Sequence, residues 1–179
     1  DSGAKVVIGG ARAVHDQHAT LRDKLPTLEH VLGISLSDTD PNSFRFHVVR
    51  GGTTPVEPMP PEGNEVAAFL YTSGTTGKPK GVLLTHSNIC SNIDAVHELF
   101  PFLPDERSLA FLPWAHAFGQ TCELHTVVSI GCSMAINDDV ARLVENLAEV
   151  RPTILYAVPR VFNRIYDGVQ SQISTQPRP

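Results

Sequence analysis

Between Tyr71 and Val82 the chain reads Tyr-Thr-Ser-Gly-Thr-Thr-Gly-Lys-Pro-Lys-Gly-Val, and most of its capacity for chemistry lies there. Gly74, Gly77 and Gly81 permit tight turns and a close approach of backbone to ligand. The hydroxyls of Thr72, Ser73, Thr75 and Thr76 join free backbone N–H groups in one small volume, which makes a nest for an anion. Lys78 and Lys80 add positive charge for phosphate oxygens. A triphosphate fits this donor set better than a neutral ligand does. The competing reading is a solvated hairpin between two strands, since turns of this composition are common. Two other nucleotide signatures are excluded. Pro79 follows Lys78 where the P-loop of GTPases needs Ser or Thr opening a helix, and no dinucleotide fingerprint is present. The Gly-x-Ser-x-Gly elbow of serine hydrolases is missing too, so no nucleophile is nominated.

Cysteines and histidines offer less. Cys90, Cys122 and Cys132 lack the even count and regular spacing of a disulfide framework. They are expected to be small buried hydrophobes in a reducing compartment. Cys122, His125 and His116 could be read as metal ligands, but no fourth ligand follows at zinc-site spacing. His86, His97 and His125 read as surface or capping residues.

The elements that must position the Tyr71–Val82 stretch alternate strand and helix. Val66 to Tyr71 reads as a strand entering it, and a second strand leaves it around Val82 to Leu84. Thr85 can cap a following helix whose Ile89, Ile93, Val96 and Phe100 share one face. Ser108 to Leu112 is strand-like and stops at Pro113. Asp138 and Asp139 open a helix carrying Val140, Leu143, Val144, Leu147 and Val150, with acid at its positive end. Ile154 to Val158 reads as the next strand, and Pro159 suits the first turn of a last helix. Ahead of all this, Lys5 to Ile8 and Leu28 to Ile34 are short apolar runs of strand length, and Val14 to Leu25 is weakly helical up to Pro26. Residues 51–64 are rich in Pro and Gly and suit an exposed connector. The expected layout is a front α/β part over residues 1–50, this connector, and a rear α/β part over 65–179. Strands spaced by helices in this way imply an α/β fold with helical cover over a layered sheet.

With 179 residues, 41% of them apolar and 18% charged, the chain has the composition of a folded globular protein with a sizeable core. A formal charge of −5 argues against a nucleic-acid partner, which needs a basic face. No apolar run approaches the ~18–20 residues that span a bilayer. The opening Asp1-Ser2-Gly3-Ala4-Lys5 has no starting Met and no signal pattern, so the chain is expected to begin inside a longer one.

Tyr71 to Val82 resembles, without a break over its twelve positions, the phosphate-loop signature of the adenylate-forming superfamily. That superfamily comprises acyl-CoA synthetases, nonribosomal-peptide adenylation domains and luciferases. Leu112-Pro113-Trp114-Ala115-His116-Ala117-Phe118-Gly119 is similar to the segment lining the acyl site in the same enzymes. Pro152 to Tyr166 resembles the long-chain fatty-acid–CoA ligase branch in particular. Weaker similarity reaches back to Gly3, so the resemblance covers nearly the whole chain. The family's later motifs are a Tyr-Gly-x-Thr-Glu segment, a ribose-binding Asp, a hinge and a C-terminal lysine. None occurs before Pro179, so the resemblance implies part of the large N-terminal domain, with the C-terminal domain absent.

The resemblance implies that a carboxylate attacks the α-phosphorus of ATP and that pyrophosphate leaves. Ser73, Gly74, Thr75, Thr76, Gly77 and Lys78 would cradle the β- and γ-phosphates. Lys80 would steady the loop or the leaving pyrophosphate, and Thr72 would give a hydroxyl to Mg²⁺ beside a Glu of the later motifs. His116 would stand between the acyl pocket and the entry path of the coenzyme A thiol. The residue-level alternative for His116 is a histidine hydrogen-bonded at a strand end under Trp114. Arg160 and Arg164 are expected to be ion-paired. The implied partners are a fatty acid, ATP and coenzyme A, in the cytoplasm with peripheral membrane association allowed. An aryl- or amino-acid-activating enzyme, or a module that binds nucleotide or protein without catalysis, stays open beside this reading.

Overall fold

The structure is a computed structural model that describes residues 2–73 and 77–175, apart from the side chains of Asp23, Arg164, Gln172 and Thr175. It divides into two compact units, Asp1–Pro60 and Pro61–Pro179. Both are mixed α/β, with helices and small two-stranded sheets as the α/β pattern implied.

In the first unit, β1 (Val6–Gly9) runs parallel to β2 (His30–Gly33), and α1 (Arg12–Ala19) lies on the connection between them. The helix spans less than the 14–25 expected, because Thr20 turns its hydroxyl back onto the Gln17 carbonyl at 2.7 Å. Such side-chain bonding competes with helix propagation, and a short 3₁₀ turn at Arg22–Lys24 closes the segment. Leu28, Val31 and Leu36 form the buried apolar set, with Ser43 fully enclosed beside them. The α2 helix (Phe44–Gly51) follows and had no sequence expectation. It buries no residue, so no apolar stripe announces it.

In the second unit, β3 (Val66–Thr72) and β4 (Lys80–Thr85) form an antiparallel hairpin whose register runs from Val66 opposite Thr85 to Thr72 opposite Lys80. The α3 helix (His86–Leu99) starts on a reciprocal cap. Thr85 Oγ1 accepts from the Asn88 N–H at 3.2 Å, and Asn88 Oδ1 accepts from the Thr85 N–H at 3.0 Å. Next comes β5 (Arg107–Ala110), whose Ser108, Leu109 and Ala110 are all buried. It pairs in parallel with β6 (Ser133–Ile136) on one side. On the other side Ile154 makes a single parallel bridge to Ser108. The strand expected over Ile154–Val158 is therefore reduced to that one bridge. β5 ends two residues past Ser108, and Pro159 opens the next helix, so residues 155–158 find no ladder partner.

Between β5 and β6 lie a π-helix (Gly119–His125) and α4 (Thr126–Ile130). After β6, Asp139 caps the Ala141 N–H at 2.8 Å and Asp138 pairs with Arg142 at 3.2 Å. One 3₁₀ turn (Val140–Arg142) then leads into α5 (Leu143–Val150), and α6 (Pro159–Thr175) is the last helix. The core of this unit gathers Ile89, Leu109, Ala110, Val127, Leu143 and Ile154. Among the described residues no helix is long and apolar enough to cross a membrane.

Candidate acyl-activating site

The hairpin fixes the ends of the phosphate-loop stretch. Side chains directly opposite on antiparallel strands share a face, so Thr72 and Lys80 project from the same side of the final rung. Tyr71 sits opposite Gly81, and a Cβ there would come within 3.3 Å of the Tyr71 ring edge. The missing side chain lets that ring lie across the strand end. Gly77 adopts φ +78°, a conformation natural to glycine, as the chain turns back towards β4. Gly74, Thr75 and Thr76 lie outside the described residues. Thr72, Ser73, Gly77, Lys78 and Lys80 are all solvent-exposed. The strands on either side of the stretch thus form a hairpin, with Thr72, Ser73, Lys78 and Lys80 exposed near its open end.

The second motif begins where β5 ends. His116 N–H donates to the Pro113 carbonyl at 3.0 Å, and Gln120 N–H donates to the His116 carbonyl at 2.9 Å, so Pro113 to Gln120 is one tight turn entering the π-helix. Gly119 makes this possible: a Cβ there would meet the Pro113 carbonyl oxygen at 2.8 Å and the Leu112 Cβ at 3.1 Å. The His116 side chain is exposed. Ala117 and Phe118, its neighbours, share a cavity of about 270 Å³ with Leu84, Asn88 and Ile89. Leu84 lies four residues along β4 from Lys80, roughly 13 Å at strand rise. So β4 connects the two motifs, with the Tyr71–Val82 stretch at one end and the His116 turn near the other. Among the described residues no hydrogen bond or ion pair joins Lys80 to His116.

A larger cavity of about 470 Å³ opens on the other side of Phe118, lined by Phe100, Phe102, Cys122, Tyr156 and Phe162. Its wall is mostly apolar. Phe100 and Phe102 stack with ring centroids 5.6 Å apart, and Tyr156 meets Phe102 edge-on at 6.4 Å. Burial pushes the Cys122 thiol up, and pushes the Tyr156 hydroxyl up to about 12 with help from Cys122, Cys132 and Glu123 nearby.

Several expectations need correction. Cys90 is exposed, and Cys122 and Cys132 are only half-buried, because Cys90 lies on the face of α3 next to its one buried residue, Ile89. Arg160 has no ion pair among the described residues, as no acid follows it at helical spacing, and the Arg164 side chain lies outside the description. His97 is exposed in the last turn of α3, as expected, and bonds the Ser129 hydroxyl at 2.8 Å, whereas His86 and His125 are half-buried and line one shared cavity. Among the described residues no three His, Cys, Asp or Glu side chains converge on a metal position. Thr72 offers one hydroxyl, which alone does not make a Mg²⁺ site.

Sequence reasoning missed Glu123. It is fully buried in the π-helix, and its Oε2 accepts a long hydrogen bond of 3.4 Å from Trp114 Nε1–H. Among the described residues its Oε1 has no partner. Burial pushes the carboxyl from 4.5 up to about 7, against a smaller opposing effect of the Trp114 bond. The available signal was an acid nine residues after a motif tryptophan, the one Asp, Glu, Lys or Arg between Arg107 and Asp138.

Comparison with known proteins places this geometry in a family. The AMP-binding enzyme family matches residues 1–178. Long chain acyl-CoA synthetase 7, peroxisomal, of Arabidopsis thaliana is 34% identical over 170 residues, covering 95% of this chain and 22% of that protein. Long-chain-fatty-acid–CoA ligase 5 of Rattus norvegicus is 36% identical over 124 residues, covering 66% of this chain and 18% of that protein. The chain thus spans about a fifth of the length of these relatives. Among solved structures, ATP-bound MatB from Rhodopseudomonas palustris superposes with a TM-score of 0.72 at 27% identity, covering 92% of this chain and 32% of that one. With a hydroxyl- and lysine-bearing hairpin, a turn carrying His116 and a match over nearly its full length, the chain belongs to the AMP-binding enzyme family.

Proposed function

We propose that the protein carrying this chain activates a long-chain fatty acid with ATP, through an acyl-adenylate, to its coenzyme A thioester. The observation that carries the reading is the hairpin tip, where Thr72 and Lys80 share a face of the last rung and bracket Ser73 to Lys78. In the first half-reaction a carboxylate oxygen bonds to the α-phosphorus and the bond to the bridging oxygen of pyrophosphate breaks. Negative charge grows on the leaving oxygens. The hairpin sets Thr72 and Lys80 on its last rung, with Ser73 and Lys78 just beyond it, and donors placed beforehand lower the barrier electrostatically. Mg²⁺, when bound with the triphosphate, would neutralise phosphate charge, and Thr72 is the described residue that offers it a hydroxyl. In the second half-reaction the thiol sulfur attacks the acyl carbon and AMP leaves. His116 would orient a substrate here, a role supported by its neighbours, since Ala117 lines the cavity at Leu84 and Phe118 lines both that cavity and the aromatic one.

The acid is read as a long alkyl chain on two grounds. The cavity beside Phe118 is walled by aromatic side chains, and the curated relatives named above carry long-chain acids in their names. A pyrophosphate-release and thioester assay on the full reading frame, run with palmitate, acetate, coumarate and amino acids, tests the reading. Preference for palmitate supports it. Preference for another acid moves the protein to another branch of the family, and release with none of them leaves a nucleotide-binding module.

A further inference from the structure

Glu123 is a carboxyl group enclosed without a cation. Its relative exposure is zero, and no Lys, Arg or His pairs with it among the described residues. The titratable groups gathered near it are Cys122 on the same π-helix, Cys132 at the entry to β6 and Tyr156 after α5. Each of these is neutral below its own raised range, so none would compensate a carboxylate. An ionised carboxylate held by one long bond is costly in such a place, and a leucine or glutamine would cost less. Core stability alone does not account for an acid here.

Its single partner is informative. Trp114 lies in the turn that presents His116, and that turn is already held on its backbone side by the bonds at Pro113 and His116. The indole is the side-chain tether of the same turn, and Glu123 is what it is tethered to. The π-helix places Glu123 under the turn, and wide-turn helices of this kind recur where a functional side chain has to be aimed.

We propose that Glu123 is a positioning residue, a buried carboxyl that holds the Trp114 indole and thereby sets the turn carrying His116. This rests on the reading of residues 112–119 as part of the acyl-activating site. The carboxyl is neutral below about pH 7 and ionises above it. Ionisation makes the carboxylate a stronger acceptor for the indole N–H, which is the effect that opposes the rise of the carboxyl, so the surroundings of Trp114 change as pH passes through this range.

The test uses the full reading frame labelled with 5-fluorotryptophan, with the Trp114 resonance assigned by W114F. In wild type the Trp114 fluorine signal is expected to titrate with a midpoint near pH 7, and in E123Q it is expected not to titrate. In ATP–pyrophosphate exchange, E123A should lower kcat about tenfold while KM for ATP stays within about twofold. E123Q should restore kcat to within about threefold of wild type, because the amide oxygen can still accept from the indole. A Trp114 signal that is flat from pH 5 to 9 in wild type overturns the proposal, as does E123A with wild-type kcat. Should E123A not fold, the E123Q titration still decides. A protein that titrates as described yet activates no acid refutes the function proposed above and leaves the Trp114–Glu123 tether standing.

Discussion

Thr72 and Lys80 stand opposite one another on the rung where the β3–β4 hairpin opens into its loop, with both side chains on one face. The hairpin ladder, rather than the loop itself, therefore sets the distance between a hydroxyl and a cation. Under the proposed function, Lys80→Ala in the full-length protein would remove a charge-assisted contact to the leaving pyrophosphate, worth roughly 1.5–3 kcal/mol. Adenylation should slow at least about tenfold with the hairpin intact. Pyrophosphate exchange at the wild-type rate would exclude Lys80 from the role.

Residues 1–179 by themselves should hold Mg-ATP weakly. Lys78 and Lys80 are exposed, and exposed ion pairs are worth ~0–1 kcal/mol each. Those contacts have to offset the loss of ligand freedom, at least several kcal/mol. Calorimetry should give millimolar affinity or weaker, about −4 kcal/mol. Micromolar binding would show that this unit alone completes the nucleotide site.

Gly119→Ala sets two effects against each other. Alanine is the better helix former by ~1 kcal/mol. Its Cβ would however meet the Pro113 carbonyl oxygen at 2.8 Å, a backbone atom of a hydrogen-bonded turn. Forced repacking of that kind costs about 1–3 kcal/mol, so the clash should win. Urea unfolding of G119A should show a lower midpoint with an unchanged slope. A midpoint equal to or above wild type would mean that the turn gives way freely.

The raised carboxyl of Glu123 also sets a pH dependence of stability. The folded chain keeps its proton up to about pH 7, while the unfolded chain releases it near 4.5. Between these values unfolding releases a proton, so stability falls as pH rises. The contribution is whole below about 4.5, declines through the window and is gone above about 7. Its size is at most about 3 kcal/mol. Thermal melts should therefore show Tm falling across this window more steeply in wild type than in E123Q. Parallel profiles would mean the carboxyl titrates normally.

What the sequence made legible was local. Thr85 and Asn88 form their cap within four residues, so the start of α3 could be read from side-chain and backbone donors alone. Pro159 announces α6, and the alternating glycines and hydroxyls announce the hairpin tip. The segment from Gly119 to Ile136 was not legible, for a physical reason. Its buried residues include Thr121, Glu123 and Thr126, so the hydrophobic pattern that marks a helix face is replaced by polar atoms. Thr126 Oγ1 donates to the Thr121 carbonyl at 3.1 Å, a partner visible only once the π-helix exists. Ile154–Val158 failed the other way: its apolar pattern suits a strand, but a ladder needs a neighbour that offers free groups, and β5 offers only one bridge. Within the site, Trp114 and Glu123 are joined by a turn whose geometry depends on the contact of Gly119 with Pro113, which no spacing rule contains.

The flanks of β5 are assembled from distant parts of the chain. Arg107 N–H donates to the Thr153 hydroxyl at 2.8 Å across a separation of 46 residues, whereas the hairpin joins Thr72 to Lys80 over a short loop. Closing a longer loop costs more chain entropy and takes longer. The hairpin can therefore form while β5 still lacks one neighbour. On the ribosome the β3–β4 hairpin would exist before the aromatic cavity, which waits for Ile154 to Phe162 to emerge. Nascent chains arrested shortly after Leu112 should already protect the amides of β3 and β4 from hydrogen exchange, with Arg107 protected only after Thr153 is made.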